Sequence, residues 1–98
     1  MASNELLWHP EALVEAEDAR DWYALRSPLA ARGFLLALNH AIEEVLAGPE
    51  VWPQDQYGCR RFVFSRRYPF TLVYRVSESV QVVAVAHQKR RPDFWRDR

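Results

Sequence analysis

His87 is followed by Lys89, Arg90 and Arg91, and Phe94 and Trp95 come soon after, in the closing stretch VVAVAHQKRRPDFWRDR. An imidazole whose ordinary pKa is about 6.5 suits proton transfer near neutral pH. Cations beside it favour its neutral form, the form a general base needs. A histidine at a strand end equally serves to satisfy a backbone group or to pack on an aromatic ring. A second basic cluster, Arg60, Arg61, Arg66 and Arg67, lies upstream in CRRFVFSRRYP. Arginine is the side chain of choice for bidentate contact with carboxylates and phosphates. A meander of strands can bring these ends together, and Phe94 and Trp95 would then supply apolar anchoring area. The plainer alternative is a solvated rim with one tryptophan folded back onto the core.

Other reactive types lead nowhere specific. Cys59 has Arg60 and Arg61 beside it, which lower a thiol pKa, but no histidine partner is in place, so it reads as a small structural residue. His9 and His40 are isolated, and no His/Cys/Asp spacing suggests a metal. A Gly-rich phosphate loop, a Ser/His/Asp order and a paired-carboxylate motif are all missing. No cofactor and no metal are expected.

The elements that must position these residues fall into two halves. Residues 5–9, ELLWH, read as a short strand ended by Pro10, which opens a helix where its missing N–H costs nothing. Ala12, Ala16, Ala19 and Tyr23 recur at helical spacing and permit close approach by another helix. Ser27 and Pro28 start a second helix, whose apolar stripe comprises Phe34, Leu35, Leu38, Ala41, Ile42, Val45 and Leu46. Gly48 and Pro49 stop it. The short turn between the helices predicts an antiparallel hairpin. CRRFVFS, FTLVYRV and SVQVVAVAH then switch to strand chemistry, with connections short enough for hairpins. The order strand–helix–helix–strand–strand–strand predicts an α+β fold with the helical hairpin packed on an antiparallel sheet. Trp22, Tyr23 and Trp52 are expected in its core.

Length and composition set the limits. The chain has 98 residues, which makes residues 1–98 a single domain. A domain of this size buries roughly 65% of its unfolded surface. A single cysteine forms no internal disulfide, the start has no basic flank with an apolar run, and no stretch is long enough to cross a bilayer, so a cytoplasmic location is expected. The net charge of zero hides an asymmetry: residues 1–50 carry three Arg and nine acids, a balance of −6, while residues 51–98 carry ten Lys and Arg and four acids, a balance of +6. Such a split suggests two faces with different partners.

WHPEALVEAEDARDWYALRSP, GPEVWP, RRFVFSRRYPFTLVYRV and above all VVAVAHQKRRPDFW resemble the RelE/ParE toxin superfamily, over about residues 6–95. The resemblance is closer to the ParE branch, whose members are often labelled plasmid stabilisation proteins. It implies a growth-inhibiting toxin of a type II toxin–antitoxin pair, neutralised by a cognate antitoxin that wraps an extended, acidic C-terminal segment around it. Contact with operator DNA would come only through that antitoxin. The ParE branch poisons DNA gyrase, and the RelE branch cuts mRNA in the ribosomal A site.

RelE-type cleavage needs a proton acceptor, a proton donor and cations around the phosphorane. In this sequence Phe62, Val63 and Phe64 occupy the middle of the second strand, and Thr71 stands where the RelE branch places an Arg. The C-terminal aromatic is Trp95, whose indole does not exchange a proton usefully. The expected function is therefore inhibition of a bacterial target by protein binding, through Arg60, Arg61, Arg67, His87, Lys89, Arg90, Arg91 and Trp95. The alternative is a ribosome-dependent mRNA endonuclease with His87, Arg61 and Arg91 as its site. A decayed, non-toxic binding protein is a third reading.

Overall fold

The computed structural model describes residues 5–98. The chain runs β1 (Leu6–Trp8), α1 (Pro10–Ala24), α2 (Pro28–Ala47), β2 (Arg60–Val63), β3 (Phe70–Val76) and β4 (Val80–His87). Both helices begin where their sequence says they should. Pro10 and Pro28 take first-turn positions, and the Ser27 side chain accepts the Ala30 N–H at 3.4 Å. The cap of α1 is less usual: His9 Nδ1 accepts the Glu11 N–H at 3.1 Å. His9, isolated in sequence, thus has a structural task.

The sheet order is β1-β4-β3-β2. β2, β3 and β4 form the expected antiparallel meander, and β1 adds a parallel pair along β4, Leu6 opposite Val80 and Trp8 opposite Val82. The sheet is therefore mixed rather than wholly antiparallel, because the helical hairpin carries the chain back across it before β2 begins. Between the pairs Val73–Ala84 and Tyr74–Val82 the β3–β4 register slips by one residue, at Val83. That slip lets Val82 and Val85 both face the helices, while Val83, Ala84 and Ala86 belong to a second cluster.

The main core lies between the helices and the sheet. Ala12, Ala16 and Ala19 are buried, and their small size brings α1 close. Phe34 lies stacked on Tyr23 (5.6 Å between centroids) and edge-on to Phe70 (5.3 Å). Tyr74 is buried and its hydroxyl donates to the Pro49 carbonyl at 2.7 Å, with burial pushing its pKa up against the pull of Arg60. Trp22 departs from expectation: it is 51% exposed, with the Arg26 guanidinium 3.4 Å from its ring centroid.

The other face of the sheet is covered by the chain's last residues. Asp93, at φ 60°, turns the chain back; aspartate tolerates this left-handed conformation better than most residues. Trp95 then packs with Cys59, Val73, Val83, Ala84 and Ala86. Among the described residues no helix is long and apolar enough to cross a membrane.

Gly33 allows α2 to sit against the β2–β3 turn. A Cβ there would lie 2.0 Å from the Tyr68 hydroxyl oxygen, and that hydroxyl is held by the Ala30 carbonyl at 3.0 Å. Gly→Ala in an open helix gains about 1 kcal/mol. Gly33→Ala is expected instead to lose about 1–3 kcal/mol through overpacking. Urea unfolding of Gly33→Ala, and of the same change made with Tyr68→Phe, checks this: the second substitution removes the nearest atom and should restore part of the loss.

Candidate functional site

The site is built at the end of the sheet where β4 stops and β3 starts. Gln88 N–H donates to the Pro69 carbonyl at 2.9 Å, which fastens the turn after β4 to the β2–β3 turn. That single bond gathers Arg66 and Arg67 of one turn with Lys89, Arg90 and Arg91 of the other. All five are exposed. Only Arg90 has an acidic partner among the described residues, Glu15 Oε2 at 3.0 Å, and it also stacks 3.6 Å from the Phe94 ring centroid. The end of the sheet is thus a cluster of largely uncompensated positive charge.

Beside it a groove of about 430 Å³ opens between α1 and the sheet. Ala19, Trp22, Tyr23, Phe70 and Val85 line it with apolar surface, and Glu15, Asp18, His87 and Arg90 supply its charged or ionisable lining. Burial, with Tyr68 nearby, raises the Tyr23 pKa, so its hydroxyl stays neutral. Trp22 owes its exposure to this position: it walls the groove rather than filling the core.

His87 lies at the end of β4, edge-on to Phe70 at 5.0 Å, and its Nδ1 accepts the Lys89 N–H at 3.0 Å. A neutral ring with Nδ1 accepting carries its proton on Nε2. It therefore has no free lone pair with which to take a proton from a substrate hydroxyl. Its geometry is that of a residue that shapes the turn and offers one N–H.

The remaining residues named from the sequence go elsewhere. Arg60 turns to the carbonyls of Glu50 and Trp52. Arg61 pairs with Asp55 (3.3 Å) and Asp93 (3.1 Å) and lies over the Trp95 ring. Both belong to the opposite end of β2 from Arg66 and Arg67, so the two basic clusters do not merge into one patch. Trp95 is 5% exposed, and its indole N–H is buried without a hydrogen-bond partner. As placed, it holds the reverse face and presents no anchoring surface. Arg60 and Arg61 do not activate Cys59: burial pushes that thiol up, and Arg75 is the cation that most opposes the shift. Among the described residues no group of three His, Cys, Asp or Glu side chains is placed to hold a metal ion.

Sequence reasoning missed the group that holds these parts together. Glu15, largely buried, accepts the Val85 N–H at 3.0 Å and pairs with Arg98 at 2.7 Å and with Arg90. The Arg98 guanidinium also donates to the Val83 carbonyl at 3.0 Å. The bond to Glu15 raises the Arg98 pKa, so it is permanently charged. Glu15 sits next to the buried alanine face of α1, the one hint the sequence held. Its partners are remote in the chain, beyond the reach of any local pattern.

The family model described as ParE toxin of type II toxin–antitoxin system, parDE, matches residues 6–92. Among solved structures the chain is similar to one described as the chromosomal ParDE TA system from P. aeruginosa, with a TM-score of 0.60 and 21% identity. The likeness covers 87% of this chain and 98% of that one, and at this identity it concerns the fold. No curated protein matches the chain.

Removing the Glu15 carboxylate leaves a mostly buried guanidinium and a strand N–H without partners. Glu15→Ala is therefore expected to cost about 3–5 kcal/mol, read by urea unfolding. It should also loosen the terminal segment over Cys59. Under native conditions a thiol reagent should label Cys59 faster in Glu15→Ala and in Trp95→Ala than in the unsubstituted protein, by about tenfold or more.

Proposed function

This chain belongs to the ParE toxin family of type II toxin–antitoxin systems, and from that premise we propose that it inhibits growth by binding a protein target, DNA gyrase, and is silenced by a cognate antitoxin. It works in the cytoplasm, where both partners would be met. The observation that carries this reading is the cluster of exposed cations Arg66, Arg67, Lys89 and Arg91 in the two joined turns at the end of the sheet, Lys89 and Arg91 being close in sequence to His87 and Arg90, which line a groove walled by Trp22, Tyr23 and Phe70. Exposed charges speed encounter and select an anionic partner more than they add affinity. The apolar groove beside them supplies area that a partner side chain can bury.

The alternative chemistry, ribosome-dependent mRNA cleavage, asks for a proton acceptor at this same rim. The Lys89 N–H occupies the acceptor nitrogen of His87. Phe62 and Val63 on β2, and Phe64 just after it, stand where cations would be needed to steady a phosphorane. Protein binding needs none of these groups and uses the ones that are present.

Inducing the chain in a bacterial host without antitoxin, with pulse labels for DNA and protein synthesis over the first minutes, tests the reading. DNA synthesis should fail first, with a DNA-damage response, and His87→Ala should remain toxic. Lys89→Ala combined with Arg91→Ala should weaken toxicity, because the charges that steer association fall away. Translation collapsing first, with His87→Ala inactive, would overturn the proposal in favour of RNA cleavage.

A further inference from the structure

The turn between α1 and α2 presents large apolar side chains to solvent. Leu25 caps α1 and is 86% exposed, Leu29 lies in the first turn of α2 and is 75% exposed, and half-exposed Trp22 stands just before them. Scattered surface leucines are ordinary, but a group of large apolar side chains at one turn marks an interaction surface. Leu25 and Leu29 line neither the groove beside His87 nor the cleft that lies between α2 and β2. They project outward instead of walling a cavity.

The charges around this turn are of one sign. No acid occurs from Trp22 to Ile42. Asp21, just before that span, is paired with Arg20 at 3.0 Å, and Asp18, further back on α1, lines the groove. Within the span Arg26 and Arg32 are exposed. Arg26 lies over the Trp22 ring and donates to the Trp22 carbonyl at 2.9 Å. Leu29, Arg32 and Leu36 follow at spacings of three and four and so share one face of α2. Leu36 and Arg67 line the same cleft between α2 and β2. The turn that carries Arg66 and Arg67 is fastened to α2 by the Tyr68 hydroxyl, which donates to the Ala30 carbonyl at 3.0 Å. Among the described residues none of Arg26, Arg32, Arg66 and Arg67 has an acidic partner.

We propose that the turn between the helices docks on an anionic lipid surface: Leu25 and Leu29 enter the boundary between headgroups and acyl chains, with Trp22 at that boundary, and Arg26, Arg32, Arg66 and Arg67 meet the lipid phosphates. Arginine lays its stem along apolar surface while its guanidinium stays among the headgroups, and tryptophan favours that same depth. Each cation near an anionic surface adds attraction, which salt weakens. The attachment is peripheral, since no described helix is long and apolar enough to cross a membrane. A nucleic acid fits less well, because its phosphates would satisfy the arginines and leave Leu25 and Leu29 in water. A second copy of this chain also fits poorly, because turn against turn would set Arg26 and Arg32 against their own counterparts, and opposed like charges disfavour association. The inference goes beyond the choice of toxin target and does not depend on it.

The test is co-sedimentation of the full chain with vesicles of equimolar phosphatidylcholine and phosphatidylglycerol, with vesicles of phosphatidylcholine alone as control. The chain should bind the anionic vesicles about tenfold or more tightly than the neutral ones, and less tightly as salt rises. Leu25→Ser combined with Leu29→Ser should weaken that binding about tenfold or more, and so should Arg26→Gln combined with Arg32→Gln. Val51→Ser, at a similarly exposed residue beyond the far end of α2, should stay within about twofold of the unsubstituted chain. All these positions are exposed, so urea midpoints should move little and report that each variant is folded. No sedimentation with anionic vesicles, equal binding to neutral ones, or undiminished binding by the Leu25/Leu29 variant would each overturn the assignment. So would a Leu25-dependent dimer in place of vesicle binding, or duplex DNA bound through Arg26 and Arg32 while vesicles stay free.

Discussion

The Glu15 carboxylate is the constraint on which the arrangement depends. β4 is an inner strand for only part of its length, because β1 accompanies it from Val80 to Val82 and then ends. Beyond that point the Val83 carbonyl and the Val85 N–H face outward. Open strand groups invite pairing with other chains, and buried ones without partners cost about 1–3 kcal/mol each. Glu15 takes the N–H and Arg98 takes the carbonyl, and the two side chains bind each other at 2.7 Å. A short strand is thus completed by side chains from a helix and from the chain's last residue. The same lock returns residues 93–98 across the sheet, where Trp95 and the Arg61–Asp93 pair seal the reverse face.

That arrangement sorts the basic half of the chain into two kinds of cation. Arg60, Arg61, Arg75, Arg90 and Arg98 are committed to carbonyls, carboxylates or the Cys59 sulfur. Arg66, Arg67, Lys89 and Arg91 lie exposed in two turns joined by one backbone bond, and Arg96 is exposed in the terminal segment. The charge asymmetry of the sequence is therefore partly internal, holding layers together, and partly exposed to solvent. Binding through the second group should weaken with salt, since exposed charges are screened while the Glu15–Arg98 pair is not.

Much of the fold was legible in the sequence because its signals are local. Pro10, Ser27 and Pro28 mark helix starts, the alanine face of α1 and the stripe of α2 mark the packing sides, and β3 begins and ends where FTLVYRV does. What escaped depends on distant partners. The parallel pairing of β1, the slip at Val83 and the Glu15–Arg98 contact have no pattern within a single window of sequence. The candidate site was legible in part: of the four arginines expected to converge with the basic turn after His87, Arg66 and Arg67 lie in the turn joined to it, whereas Arg60 and Arg61 lie at the other end of β2. Trp22 and Trp95 exchanged the places expected of them. A tryptophan late in α1 lies beyond the sheet's cover, whereas one after the Asp93 reversal is brought beneath it.

The central claim is that this toxin acts by occupying a protein rather than by cleaving RNA. Its most direct test is DNA supercoiling by purified gyrase, run with the purified chain at micromolar concentration alongside ribosomes programmed with mRNA. The account predicts that supercoiling is inhibited, that the mRNA stays intact, and that His87→Ala inhibits as well as the unsubstituted chain. Cut mRNA with supercoiling unaffected would contradict it.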